Sequence, residues 1–298
     1  MKRTNLILLR DTPPWDWPED AAELLLDALR NERLSEDDLL LATELSGDFT
    51  VIDDELADAL LSLLHNANKP EAVRGAAAIS LGPALEAAEL DDFEFDDFED
   101  DDSSIPISEE MFDKIREALR PLATDPSVPT YVRRRVLEAA VRSQQEWQTG
   151  VIRTAYASDD PLWRLTAVFC MRHVKGFEKE ILEALDSEDA EVRTEAMLAA
   201  GNWGMDRAWR HVRAVLTAPP ETEKEKDLLL AAIAAAGLIR PKEAIEVLAD
   251  LLDSDNEDVV EAVKEALAMS GAYGDLDEDD LDDEGDLGFL DDEDEIRH

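Results

Sequence analysis

Residues 177–201 read FEKEILEALDSEDAEVRTEAMLAAG, and this stretch decides the fold. Ile181, Leu182 and Leu185 recur at helical spacing, and Asp186-Ser187-Glu188-Asp189 makes an acidic turn. Val192, Ala196 and Ala199/Ala200 then form a second apolar stripe, which the sequence reading ends at Gly201. Two helices this short cannot bury their stripes alone, so the pair must stack on similar pairs.

Such pairs recur along the chain. They are expected at 18–31 and 35–46, 53–66 and 70–81, 108–123 and 130–143, 146–157 and 161–174, 177–185 and 189–200, 205–217 and 223–237, and 241–252 and 256–270. The second helices align at Leu39-Leu40, Val73-Arg74, Val132-Arg133, Trp163-Arg164, Val192-Arg193, Leu228-Leu229 and Val259-Val260. The spacings between the second members are 34, 59, 31, 29, 36 and 31 residues. A helix-turn-helix period near 30 signifies a solenoid, and the spacing of 59 contains an insertion.

Residues 1–17 form a lead-in ending TPPWDW. Pro13 and Pro14 are expected to keep it extended, and Trp15 and Trp17 to cover the open end of the stack. Residues 89–104 and 272–298 are expected to be acidic, loosely held or disordered tracts, because like charges at this density oppose packing. Residues 86–102 contain 11 Asp/Glu and no Lys/Arg, and residues 275–298 contain 14 Asp/Glu and one Arg.

The net charge of −44 opposes binding to nucleic acid, where affinity rests on Lys and Arg, and to anionic membrane surfaces. The apolar run Leu6–Leu9 is shorter than the ~7–15 residues of a signal peptide. No stretch reaches the ~20 apolar residues of a membrane helix. Cys170, the single cysteine, lies in the apolar run 165–171 and reads as a small buried hydrophobe, which suits a cytoplasmic setting.

KPEAVRGAAAISLG, VPTYVRRRVLEAAV, DDPLWRLTAVFCM and SEDAEVRTEAMLAAG share an acidic or proline-containing turn, an apolar-Arg pair and following alanines. In these residues the chain resembles HEAT repeats, in the short form also seen in phycobilisome lyases. The resemblance spans about residues 18–271 and weakens where Leu40, Leu229 and Val260 replace the arginine. It implies an all-α, right-handed α-solenoid of about seven helical hairpins. First helices would line the convex side and second helices the concave side, where a partner binds.

Asp125, Asp160 and Asp189 precede Arg133, Arg164 and Arg193, which suggests a ladder in which turn carboxylates bind guanidinium groups and helix N-terminal amides. Arg133, Arg134, Arg135, Arg142, Arg153, Arg164 and Arg172 make 131–175 the one basic zone of an acidic chain. Ladder membership cannot absorb them all, so Arg134 or Arg135 is expected to point elsewhere and help select an acidic partner segment. Phe93, Phe95 and Phe98 in the insert, and Leu287, Phe289 and Leu290 in the tail, suit segments that fold onto such a zone, or solvated bristles. Trp147, Trp163, Trp203 and Trp209 are expected to fill gaps between layers, with Trp163 and Trp203 as alternative partner anchors.

The run from Asp275 carries Asp280 where a calcium loop needs glycine. His65, His173 and His211 are followed by Asn66, Val174 and Val212, not by the glutamate of the paired His-Glu motifs in iron hydroxylases built on similar repeats. No phosphate loop or nucleophile elbow is present. The expectation is therefore a non-enzymatic scaffold without cofactor. It would hold a protein or peptide on its concave face through Arg133, Arg134, Arg135, Arg142, Trp163, Arg164, Arg172, Arg193 and Trp203, with the acidic tracts tuning access or recruiting basic partners. The alternatives are a bilin lyase-like activity, implied by the resemblance alone, and an acidic chaperone or nucleic-acid mimic for basic proteins.

Overall fold

The computed structural model describes residues 3–94, 106–218, 220 and 222–269. These residues form helices and turns, an all-α helical repeat of the solenoid class. They fall into two compact units that meet in sequence at Trp203 and Gly204.

The first unit opens with α1 (Arg3–Arg10), followed by a short 3-10 turn, α2 (Ala21–Leu29) and α3 (Glu36–Leu45). Next come α4 (Asp54–His65), α5 (Glu71–Ser80) and α6 (Gly82–Glu94). It continues with α7 (Glu109–Thr124), α8 (Thr130–Ala140), α9 (Glu146–Tyr156), α10 (Pro161–Met171), α11 (Glu178–Ala184) and α12 (Ala190–Asn202). The second unit contains α13 (Trp209–Leu216), α14 (Glu223–Ile239), α15 (Pro241–Ala249) and α16 (Glu257–Met269). The expected hairpins are α2/α3, α4/α5, α7/α8, α9/α10, α11/α12, α13/α14 and α15/α16.

Short polar side chains set where the helices start. Ser35, Asp53, Ser108, Asp160 and Asp189 each accept a hydrogen bond from a first-turn amide, satisfying donors that the helix itself leaves open. Thr222 and Glu225 cap α14 reciprocally. In the first unit the second helices pack in sequence, α3 on α5, α5 on α8, α8 on α10 and α10 on α12. Alanines make this close approach possible: Ala77, Ala139, Ala167, Ala196 and Ala199 are fully or almost fully buried. The row of second helices forms the frame for the candidate site.

Three local expectations are corrected. The lead-in is not only extended: Arg3–Arg10 is helical and packs on α3, with Leu6 and Leu9 buried. The Trp17 indole N–H donates to the carbonyls of Leu9 and Thr12, whereas Trp15 is 79% exposed and covers nothing. α12 does not stop at Gly201. It runs to Asn202, and the turn comes at Gly204, whose φ of +55° suits glycine. α6 continues to Glu94, inside the expected loose insert, and packs on α7 and α8. The remainder of that tract, residues 95–105, and the acidic tail from residue 270 lie outside the described residues.

Candidate binding site on the second helices

The Val-Arg pairs place their arginines at the hairpin turns. Arg74 Nε donates to the Leu64 carbonyl at 2.9 Å, and Arg133 Nε donates to that of Ala123 at 3.1 Å. Arg193 Nη1 donates to the Ser187 and Glu188 carbonyls at 2.9 and 3.1 Å. The ladder therefore exists, but its acceptors are backbone carbonyls, at the end of the preceding helix for Arg74 and Arg133 and in the turn for Arg193, rather than turn carboxylates. The Leu64 and Ala123 carbonyls lack helical partners and carry the negative end of the helix dipole, so a guanidinium satisfies both needs. The carboxylates take the amides: Asp125 accepts from Ser127 N, Asp160 from Leu162 N and Asp189 from Glu191 N. Hydrogen bonds from Ser127 hold the Asp125 carboxyl below its ordinary range, and Arg133 adds to the effect. Arg164 is exposed and lies over the Tyr156 ring, 5.1 Å from its centroid.

Arg134 turns inward along α8, and Arg135 lies partly exposed beside it. Arg134 is only 6% exposed, and its Nε donates to Thr166 Oγ1 at 3.0 Å. Thr166 Oγ1 donates in turn to Glu138 Oε1 at 2.6 Å, and Arg135 Nη1 holds Glu138 Oε2 at 2.6 Å. Thr166 is thus the hinge of a buried network that ties α8 to α10. Arg142 pairs with Glu86 of α6. Arg172 lies close enough to oppose the rise of the Glu195 carboxyl, which burial pushes above its ordinary range and Glu138 pushes further. Trp203 donates its indole N–H to the Met171 carbonyl at 2.7 Å, with Lys175 over its ring.

The expected positive patch is therefore corrected. Arg134 is not presented to a partner, and Arg133, Arg135, Arg142 and Arg193 are held by internal acceptors. Arg135 and Arg142 pair with carboxylates, whereas Arg133 and Arg193 bind neutral carbonyls and keep their charge. Trp203 closes a helix end rather than offering an anchor, while Trp163 lies partly exposed beneath Arg133, 5.2 Å from ring centroid to guanidinium carbon. Cys170 is fully buried. Burial raises its thiol well above the ordinary value, and Glu138 and Glu195 push the same way, so the thiol stays protonated. Burial, followed by the positive charge of Arg142, pulls His173 down to about 4. Its Nε2 is buried without a hydrogen-bond partner among the described residues.

The row does offer an open groove of about 590 Å³, formed by α1, α3, α5 and α8. Ile79 and Tyr131 are 39% and 37% exposed, and both line it. Gly75 explains the shape: a Cβ there would lie 2.5 Å from Tyr131 Cε1 and 3.1 Å from Arg135 Cγ. Its absence lets Tyr131 and Arg135 lie down on α5. Glu44 and Asp48 supply carboxylates to the lining, and the two cations in it are internally engaged, Arg10 by Asp11 and Arg135 by Glu138. The basic-residue pattern did not point to this groove. Its signal was the pair of apolar residues, Ile79 and Tyr131, off the buried stripes of α5 and α8. Among the described residues, no three His, Cys, Asp or Glu side chains come together as metal ligands do. No described helix is long and apolar enough to cross a membrane.

No family model matches the chain, and no curated protein matches it. Solved structures do. Human deoxyhypusine hydroxylase in complex with glycerol aligns at 17% identity over 89% of this chain and 88% of its own, with a TM-score of 0.39. The Escherichia coli protein YibA aligns at 18% identity over 90% and 92%, with a TM-score of 0.43. A designed armadillo repeat protein aligns at 15% over 83% and 98%, with a TM-score of 0.30. This likeness concerns the helical-repeat fold. It also corrects one expectation: a hydroxylase is an enzyme, so such a fold does not exclude catalysis, and the exclusion of enzymatic activity drawn from the sequence does not stand. At this identity the likeness assigns the chain no activity.

Proposed function

We propose that the chain is a binding protein of short HEAT-like repeats, and that it docks an extended or helical segment of a partner protein in the groove over α5. The observation that carries this reading is the exposure of Ile79 and Tyr131 side by side over Gly75 in a 590 Å³ groove. Large apolar groups left open in a concave lining are a common signature of partner surfaces. The unneutralised charges of the lining are Glu44 and Asp48, and the chain carries −44, so a neutral or basic segment with an apolar anchor fits better than an acidic one. The repeat assignment is supported by the Val-Arg register and by the shared role of Arg74, Arg133 and Arg193 at the hairpin turns.

The test is site-specific photo-crosslinking in the native cells. A benzophenone amino acid at position 79 is expected to give a discrete protein adduct, whereas the same group at exposed Glu117 of α7 gives none. Equal adducts at both positions, or none at position 79, would refute the groove as the docking site.

A further inference from the structure

A second opening lies away from that groove, along α9 and between the turn ends of α7, α8 and α10. This slot of about 510 Å³ is lined by Trp147, Trp163, Arg133 and Gly150, with Thr124 and Ser158 among its polar edges. Three observations about it are independent.

The first is Gly150. It sits in the middle of α9, where glycine weakens a helix relative to alanine. Gly75 of α5 and Gly237 of α14 have a packing reason, since a Cβ on either would crowd a neighbouring helix. Gly150 has none: a Cβ there would meet nothing within 4 Å, and it would project into open space. The bare backbone leaves room for an occupant to approach the helix closely.

The second is the polarity of the walls. Arg133 spends Nε on the Ala123 carbonyl and its face on the Trp163 ring, which leaves its two Nη groups without a hydrogen-bond partner among the described residues. The Trp163 indole N–H likewise has none, and neither group is among the buried unpartnered atoms. The open polar groups on these two residues are donors, so they call for carbonyl oxygens.

The third is charge. Exposed carboxylates adjoin the lining in sequence: Asp125 after Thr124, Glu146 before Trp147 and Asp159 after Ser158. None of them is in an ion pair with a described residue, although Asp125 feels Arg133.

The geometry points to a second peptide-docking site here, one that takes a proline-rich segment with basic flanks in the polyproline II conformation. Proline rings are flat apolar plates suited to indole faces and to the space left open beside Gly150. Proline also presents carbonyls and no N–H, which matches walls that offer donors. Flanking Lys or Arg complements Asp125, Glu146 and Asp159. The site is separate from the α5 groove and goes beyond the function proposed for it.

The probe is the labelled peptide KKPPLPPLPKK, read by fluorescence anisotropy on the full chain, with EEPPLPPLPEE and KKGGLGGLGKK as controls. The basic proline peptide is expected to bind at least five-fold more tightly than either control. Gly150→Leu, which fills open space and leaves the circular dichroism spectrum unchanged, is expected to weaken it at least five-fold, as is Trp163→Phe. Ile79→Asp is expected to leave it unchanged, which separates this site from the α5 groove. The inference is overturned if the wild type fails to bind the peptide at millimolar concentration, if the glycine peptide binds as well, if Gly150→Leu binds like wild type, or if Ile79→Asp abolishes binding.

Discussion

Thr166→Val tests the buried network that replaces the expected positive patch. Thr166 is fully buried, and its hydroxyl both accepts from Arg134 Nε at 3.0 Å and donates to Glu138 Oε1 at 2.6 Å. Valine keeps the shape and removes both bonds. Each ties the hydroxyl to a charged partner, and such a bond contributes about 1.5–3 kcal/mol. Some of this is recovered as Val adds apolar contact, and Arg135 still holds Glu138 Oε2, so the net loss is about 2–4 kcal/mol. For a unit near 200 residues this corresponds to a Tm drop of roughly 4–16 °C. Thr166→Ser keeps the hydroxyl and loses one methyl, about 1 kcal/mol. Urea unfolding followed by circular dichroism, with the slope checked for constancy, gives both values. If Thr166→Val unfolds at the same urea concentration as Thr166→Ser or a higher one, the hydroxyl does not bridge α8 and α10, and the inward placement of Arg134 loses its support.

Other outcomes follow from the same geometry. His173 has a folded pKa of about 4, faces Phe169, Arg142, Glu86 and Arg172, and is neutral when buried. A folded pKa below the unfolded value of about 6.5 means that the unfolded chain alone takes up a proton between these limits. His173 therefore contributes stability that is full above about pH 6.5 and declines as pH falls toward 4, by up to about 3 kcal/mol. His173→Gln should flatten the difference between urea midpoints at pH 7 and pH 4.5; an unchanged slope would refute this. Trp203→Phe removes the 2.7 Å bond to the Met171 carbonyl and should cost about 1 kcal/mol in urea unfolding. Gly75→Val should displace Tyr131 and Arg135, costing about 1–3 kcal/mol by overpacking. The same substitution should move or broaden the Tyr131 ring signals in NMR spectra, and unchanged signals would show that the ring does not rest on α5.

The repeat pattern was legible because it is periodic. Leu, Val and Ala at helical spacing give the seven hairpins, and Asp160 and Asp189 mark helix starts by a strictly local rule. The arginines show where local reading ends. Arg133 binds a carbonyl ten residues back, which lies within one hairpin and follows from the repeat. Arg134 depends on Thr166, 32 residues away on the next hairpin, and nothing in the sequence around RRR separates an inward arginine from an outward one. Gly201 looks like a helix stop because glycine often is one. Here Asn202 and Trp203 reach back to the Arg172 and Met171 carbonyls and carry the helix one step further. The acidic composition that suggested a loose insert from residue 89 missed the anchor of Glu89, which accepts from Ser143 Oγ at 2.8 Å. The α5 groove was illegible for a similar reason: Gly75 matters because of Tyr131, which the sequence places 56 residues away.

The most direct measurement is calorimetric titration of the segment captured at position 79, remade as a peptide, into wild type, Ile79→Asp, Tyr131→Ser and Glu117→Lys proteins. Docking over α5 requires each of the first two substitutions to weaken binding at least ten-fold, about 1.4 kcal/mol, while Glu117→Lys stays within two-fold of wild type. Wild-type affinity in Ile79→Asp and Tyr131→Ser would place the partner elsewhere and contradict the groove as the binding site.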